Sequence, residues 1–192
     1  MSTLKVDTIL SADTPTVNFT DGLNVSGIVT ATSVTATTYT GITTTALPAG
    51  TVLQAVSATT TSTTTNTTET FADTGLTASI TISANSKVLI MCTQHLDIQR
   101  SNTSCRCAIK LLRGSTDIYA PGNSKNVGFE GTGTDQKILF LPLHFSFLDT
   151  GASTGSNTYK LQGRVTSATS SSRVRFQDDS NPSTMTLLEI AG

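Results

Sequence analysis

The sequence predicts an all-β protein: an extended N-terminal attachment and shaft segment over residues 1–46, followed by an antiparallel, jelly-roll-like β-sandwich over residues 47–192. Three observations predict it. Thr and Ser make up roughly a third of the 192 residues, a β-branched, hydroxyl-rich bias that costs helix propensity and suits a pleated surface. Helical periodicity is absent, and from residue 51 onward apolar and polar residues alternate in short runs separated by turn residues. Only 13% of residues are charged and the net charge is −1, whereas disordered chains combine low hydrophobicity with high net charge. Order is therefore expected.

Residues 1–46 carry isolated apolar pairs, Leu4/Val6, Val17/Phe19 and Leu23/Val25, among Thr, Ser, Asp and Gly. Such a segment alternates like a strand but holds no cluster large enough for its own core, so it must borrow partners from neighbouring copies or a host particle. Residues 28–42 are almost all β-branched or small, which suits an intertwined shaft. Leu47-Pro48-Ala49-Gly50 then places a fixed φ before a permissive residue and marks the boundary.

Nine strands are expected beyond it, over residues 51–58, 67–71, 78–83, 87–97, 105–113, 136–149, 157–168, 173–177 and 183–190. In the seventh, Tyr159, Leu161, Gly163 and Val165 alternate with Lys160, Gln162, Arg164 and Thr166, so one face is buried and one wet. The run from Ile138 to Phe147 is apolar on both faces. A solitary sandwich covers only one of them, so a neighbouring subunit is expected over the other, with Leu139, Leu141, Leu143, Phe145 and Phe147, together with Leu187 of the last strand, near the contacts. Pro142 cannot donate to a ladder, which makes this an edge strand or a strand with a bulge.

Chemistry is sparse. Asp97, Asp117, Glu130, Asp135, Asp149, Asp178, Asp179 and Glu189 are scattered with no spacing that singles out a catalytic pair. His95 and His144 sit in expected strands, and Asp178-Asp179-Ser180-Asn181-Pro182 lacks the alternating pattern of a calcium loop and reads as a turn. Cys92, Cys105 and Cys107 are an odd number and read as reduced, structural thiols. No catalytic residue, cofactor or metal site is expected. The charge gives no footprint for nucleic acid, and no apolar stretch is long enough for a membrane helix. Recognition, if present, belongs to loops on the rigid scaffold. The richest loop is 114–135, where Tyr119, Asn123, Lys125, Asn126 and Phe129 are candidates for stacking on, and hydrogen bonding to, a host-surface glycan or protein.

Three N-terminal blocks, Ser-Thr-Leu-Lys-Val-Asp-Thr-Ile (2–9), Val-Asn-Phe-Thr-Asp-Gly-Leu (17–23) and Gly-Ile-Val-Thr-Ala-Thr-Ser (27–33), resemble the tail-fibre and fibre-like virion proteins of marine tailed bacteriophages, of the cyanophage type. Phe71-Ala72-Asp73-Thr74-Gly75-Leu76-Thr77, Ser86-Lys87-Val88-Leu89-Ile90 and Thr184-Met185-Thr186-Leu187-Leu188-Glu189-Ile190 resemble their small distal domain. The resemblance implies an N-terminal segment that attaches to other virion proteins and a C-terminal β-sandwich that forms trimers and contacts the host surface. It implies a place on the virion exterior, on tail or capsid, after synthesis in the host cytoplasm. The shaft here is shorter than in those fibres, so a capsid-attached fibre or decoration protein is the alternative, and a polysaccharide-degrading spike a distant one.

Overall fold

The structure is a computed structural model in which the chain divides into two units, Met1–Thr40 and Gly41–Gly192. It describes residues 47–100, 105–120, 127–129, 136–166 and 172–192, so the readings of residues 1–46 as attachment segment and shaft lie outside the described residues. The described chain is all-β. Its strands are β1 (Val52–Thr60), β2 (Thr64–Asn66), β3 (Ala72–Ile82), β4 (Lys87–Arg100), β5 (Cys105–Arg113), β6 (Thr116–Tyr119), β7 (Val127–Phe129), β8 (Lys137–Asp149), β9 (Gly155–Thr166), β10 (Arg173–Phe176) and β11 (Ser183–Ile190). Among the described residues the one helical element is a 3-10 turn at Asp178–Ser180.

Two antiparallel sheets form a sandwich. The first runs β1-β11-β4-β10-β2, with β8 on the other side of β4; the second runs β3-β9-β5-β6, with β7 also beside β5. The pairings are nested: β1 with β11, β3 with β9, β4 with β8, and β5 with β6. With β2 pairing β10 in the first sheet as a continuation of the outermost pair, the chain is a folded antiparallel ribbon whose further pairs alternate between the two sheets, the jelly-roll arrangement. The ribbon's open end is tied by Gly50 N–H to Ala191 O and Ala191 N–H to Thr51 O, each 2.9 Å.

Alternation explains the core. Leu76, Ile80 and Ile82 of β3, Val88, Ile90 and Ile98 of β4, and Met185 and Leu187 of β11 point between the sheets and are buried. Tyr159, Leu161 and Val165 of β9 are fully buried, as their sequence alternation requires. Gly163 shares that inward row because the ring of Phe176 fills the space a Cβ would occupy: an added Cβ would lie 2.4 Å from Phe176 Cζ. We expect Gly163→Ala to destabilise the domain by about 1–3 kcal/mol, read as a lower urea midpoint at unchanged slope; an unchanged midpoint would show that the ring moves aside freely.

Two expected strands differ. Residues 67–71 form no strand and bend at 68–70, because the Asn66 side chain captures their backbone: its Oδ1 accepts from Thr68 N–H at 2.8 Å, and its Nδ2 donates to Thr70 O at 2.8 Å. That local bonding competes with a ladder. The strand expected at 78–83 begins six residues earlier, at Ala72, and passes through a bulge between Asp73 and Thr77 where Gly75 takes φ +85°. Gly75 lies between the strands expected at 67–71 and 78–83, and here its positive φ allows a bulge.

The three cysteines are free and buried. Burial pushes the Cys92 thiol up to about 12 and raises those of Cys105 and Cys107, so they pack as small apolar groups and stay protonated at neutral pH. Glu189 is also nearly buried, at the sandwich end. Its Oε2 accepts from Gln54 Nε2 at 2.6 Å and its Oε1 from Ser83 N–H at 2.7 Å. Burial opposes its charge, but bonds from Gln54, Ser83 and Ser86 prevail and hold the carboxyl below its usual 4.5. The unfolded chain therefore takes up this proton first. The stabilisation from Glu189 is complete above about pH 4.5 and is lost as pH falls through the lowered folded value. Between pH 7 and 3 the wild type should lose more of its urea midpoint than Glu189→Gln; equal losses would contradict this.

Candidate functional site: the outer face of the first sheet

Strand β8 decides which surface the domain offers. It pairs with β4 from Val88↔Asp149 to Arg100↔Lys137 without a register shift, so Pro142 sits in an unbroken edge strand and not at a bulge. Pro142 lies opposite His95, whose N–H donates to Ser183 Oγ and whose carbonyl accepts from Gln177 N–H, both on the other side of β4. The Pro142–His95 pair is thus a non-hydrogen-bonded one, and the proline nitrogen faces the free edge. A missing donor halfway along that edge disfavours continuous strand addition. The edge is protected; the faces are not.

The inner face of β8 carries Leu139, Leu141, Leu143, Phe145 and Phe147, all half-buried; the last four pack against the core. Leu187 is fully buried inside the subunit. The side chains expected at a subunit contact therefore face the interior of the sandwich, and the outward row is Ile138, Phe140, Pro142, His144, Ser146 and Leu148. Ile138, Phe140 and Leu148 remain 42%, 61% and 45% exposed. An apolar run conceals this parity; His144 and Ser146, both at even positions, are the sequence signal that marks the outer row.

The recognition candidates divide as well. Tyr119 ends β6 and stacks across the sandwich on Phe145 (centroids 5.6 Å) and Phe147 (5.0 Å), closing the side where β8 and β6 face each other. Its ring belongs to this packing, which corrects the expectation that it lies in an open loop. Phe129 ends β7, paired with Cys105. Asn123, Lys125 and Asn126 lie outside the described residues.

Across the outer face, register brings residues into rows. Leu148, Leu89, Leu188 and Ala55 form one row from β8 through β4 and β11 to β1. Beside it Ile190 and Val52 are partners, and on its other side Met91 stands between Ser146 and Thr186. Val52 and Met91 are 53% and 41% exposed. The next row is polar: His144, Thr93, Thr184 and Thr59, with Thr93 Oγ1 and His144 Nδ1 3.0 Å apart. The apolar residues thus form a bounded patch at the end of the face where Val52 begins β1.

Two buried carboxylates each hold an arginine. Asp149 bridges Arg113 and Tyr159, and Asp97, buried on the outer face, takes Arg175 Nε at 2.9 Å and Nη2 at 3.2 Å. Among the described residues no group of His, Cys, Asp or Glu side chains comes together to hold a metal ion, and no helix is long and apolar enough to cross a membrane.

No family model and no curated protein matches the chain. Solved structures of infectious bursal disease virus, of its Gx and Gt strains, are similar at 14% identity with TM-scores of 0.33 and 0.31. Each alignment covers 73% of this chain, which spans 39% of the chain it matches.

Proposed function

We propose that this protein is a non-enzymatic structural component of a tailed-phage virion: a fibre subunit held to the particle by residues 1–46, which assembles as a homo-oligomer, a trimer by resemblance, and carries its β-domain toward the host surface. The observation that carries the reading is the apolar row Leu148–Leu89–Leu188–Ala55 with exposed Val52 and Met91 beside it. Contiguous exposed apolar patches on soluble proteins mark interaction sites. This one lies on the outer sheet face beside the start of β1, and Pro142 disfavours the competing edge-to-edge mode. The resemblance of the terminal blocks to phage fibre proteins supplies the particle. Immunogold labelling of purified virions tests the reading: particles labelled on tail or capsid exterior are expected, and a protein found only in the infected-cell lysate would overturn it.

A further inference from the structure

A second feature of the outer face stands apart from the apolar rows, eight residues or about 26 Å along β8 from Leu148. There a cleft of about 180 Å³ opens, with Phe140 and Pro142 on one side, Asp178 and Asn181 on the other, and His95 between them. The volume is smaller than the roughly 300–1,000 Å³ of sites for drug-sized ligands and suits one ring.

The wall formed by residues 177–181 is strained and held. Gln177, Asp179 and Ser180 take φ of 55°, 51° and 59°, three left-handed residues without a glycine. Such strain persists where surrounding contacts over-determine it, and it clusters at ligand sites. Here the contacts are visible. Gln177 is fully buried; with its amide oriented to suit its neighbours, its nitrogen donates to Thr74 O at 2.9 Å and Ser62 O at 3.1 Å, and its oxygen accepts from Gln94 Nε2 and Ser183 Oγ. Arg175 Nη2 donates to Asp178 Oδ2 at 2.6 Å, fixing that carboxylate at the rim. Asn181 Nδ2 donates to Asp178 O at 2.8 Å. At the floor, His95 Nδ1 is buried without a hydrogen-bond partner, an orphaned polar atom of the kind that calls for an explanation.

We propose that this cleft binds one neutral sugar ring of a surface glycan, with Phe140 as the stacking platform and Asp178 and Asn181 as hydrogen-bonding groups for its hydroxyls. An aromatic side chain 61% exposed beside fixed polar groups matches a ring with an apolar face and a hydroxyl rim. Charge selects among sugars. Behind the wall, the Arg175 guanidinium is shared between Asp97 and Asp178, and Asp179 is exposed beside them, so the site disfavours sulfated or carboxylated rings. This deepens the proposed host-contacting role by naming a chemistry for it.

Saturation-transfer NMR on the full chain tests it with free galactose, glucose, mannose and N-acetylglucosamine, and with N-acetylneuraminic acid as the anionic comparison. At least one neutral sugar should bind with a Kd near 1 mM, weakened about tenfold or more in Phe140→Ala and Phe140→Leu. Both variants should keep the oligomeric state and circular dichroism of the wild type. The proposal is overturned if no neutral sugar binds, if only the anionic one does, if binding survives loss of the ring, or if the variants change the oligomer, which would make Phe140 a subunit contact. An intact oligomer that binds no sugar would sink this inference alone and leave the assembly reading standing.

Discussion

Replacing Asp149 by Ala is expected to destabilise the β-domain by about 3–5 kcal/mol, because it strands two partners at once. Asp149 is 4% exposed at the end of β8. Its carboxylate accepts from Arg113 Nη1 at 2.8 and 2.6 Å, from Tyr159 Oη at 2.9 Å and from Gly151 N–H at 2.9 Å. These bonds join β8 in the first sheet to β5 and β9 in the second. Tyr159 is fully buried; burial raises its pKa well above the usual tyrosine value, and bonding to Asp149 raises it further, so the phenol stays a proton donor at any ordinary pH. With Asp149 gone, that hydroxyl loses its acceptor away from bulk water, and the half-buried Arg113 guanidinium loses its ion-pair partner. Tyr159→Phe removes only one bond and should cost about 1–1.5 kcal/mol. Urea denaturation of both variants checks the ranking, and an Asp149→Ala variant no less stable than Tyr159→Phe would contradict it.

Much of this architecture was legible, and the reasons are physical. β4, β5, β8, β9 and β11 are long and alternate or run apolar, so period-two reasoning finds them. β2, β6 and β7 have three or four residues and exist through their neighbours; nothing local distinguishes Thr64–Asn66 from the Thr-rich stretch around it. The bend at 67–71 depends on where a single amide, Asn66, points. Pro142 was legible as an edge marker, because a ladder cannot use a residue without an N–H.

The candidate site was less legible. The apolar run on β8 raises the expectation of cover for its second face, but only His144 and Ser146 carry its parity, and the inward residues are the ones expected at the contact. Tyr119 looks like a loop aromatic until β6 brings it over Phe145 and Phe147. The cleft assembles Phe140, His95 and the 177–181 turn from three places in the chain. Only the left-handed backbone of that turn, invisible in a sequence without glycine there, sets it apart from an ordinary connection.

The second large effect concerns assembly. A carboxylate introduced into the apolar row would be desolvated at a subunit contact, which costs several kcal/mol when nothing pairs with it, enough to shift a dissociation constant by about a hundredfold or more. Leu148→Asp suits the purpose because the side chain is 45% exposed in the single subunit, so the fold itself tolerates the change. Thr59→Asp places the same charge on the same face in the polar row, where water remains. Multi-angle light scattering of the full chain and these two variants is the most direct test of the account. It predicts a homo-oligomer for the wild type and for Thr59→Asp, and a folded monomer for Leu148→Asp. A monodisperse wild-type monomer, or a Leu148→Asp variant that assembles as the wild type does, would contradict it.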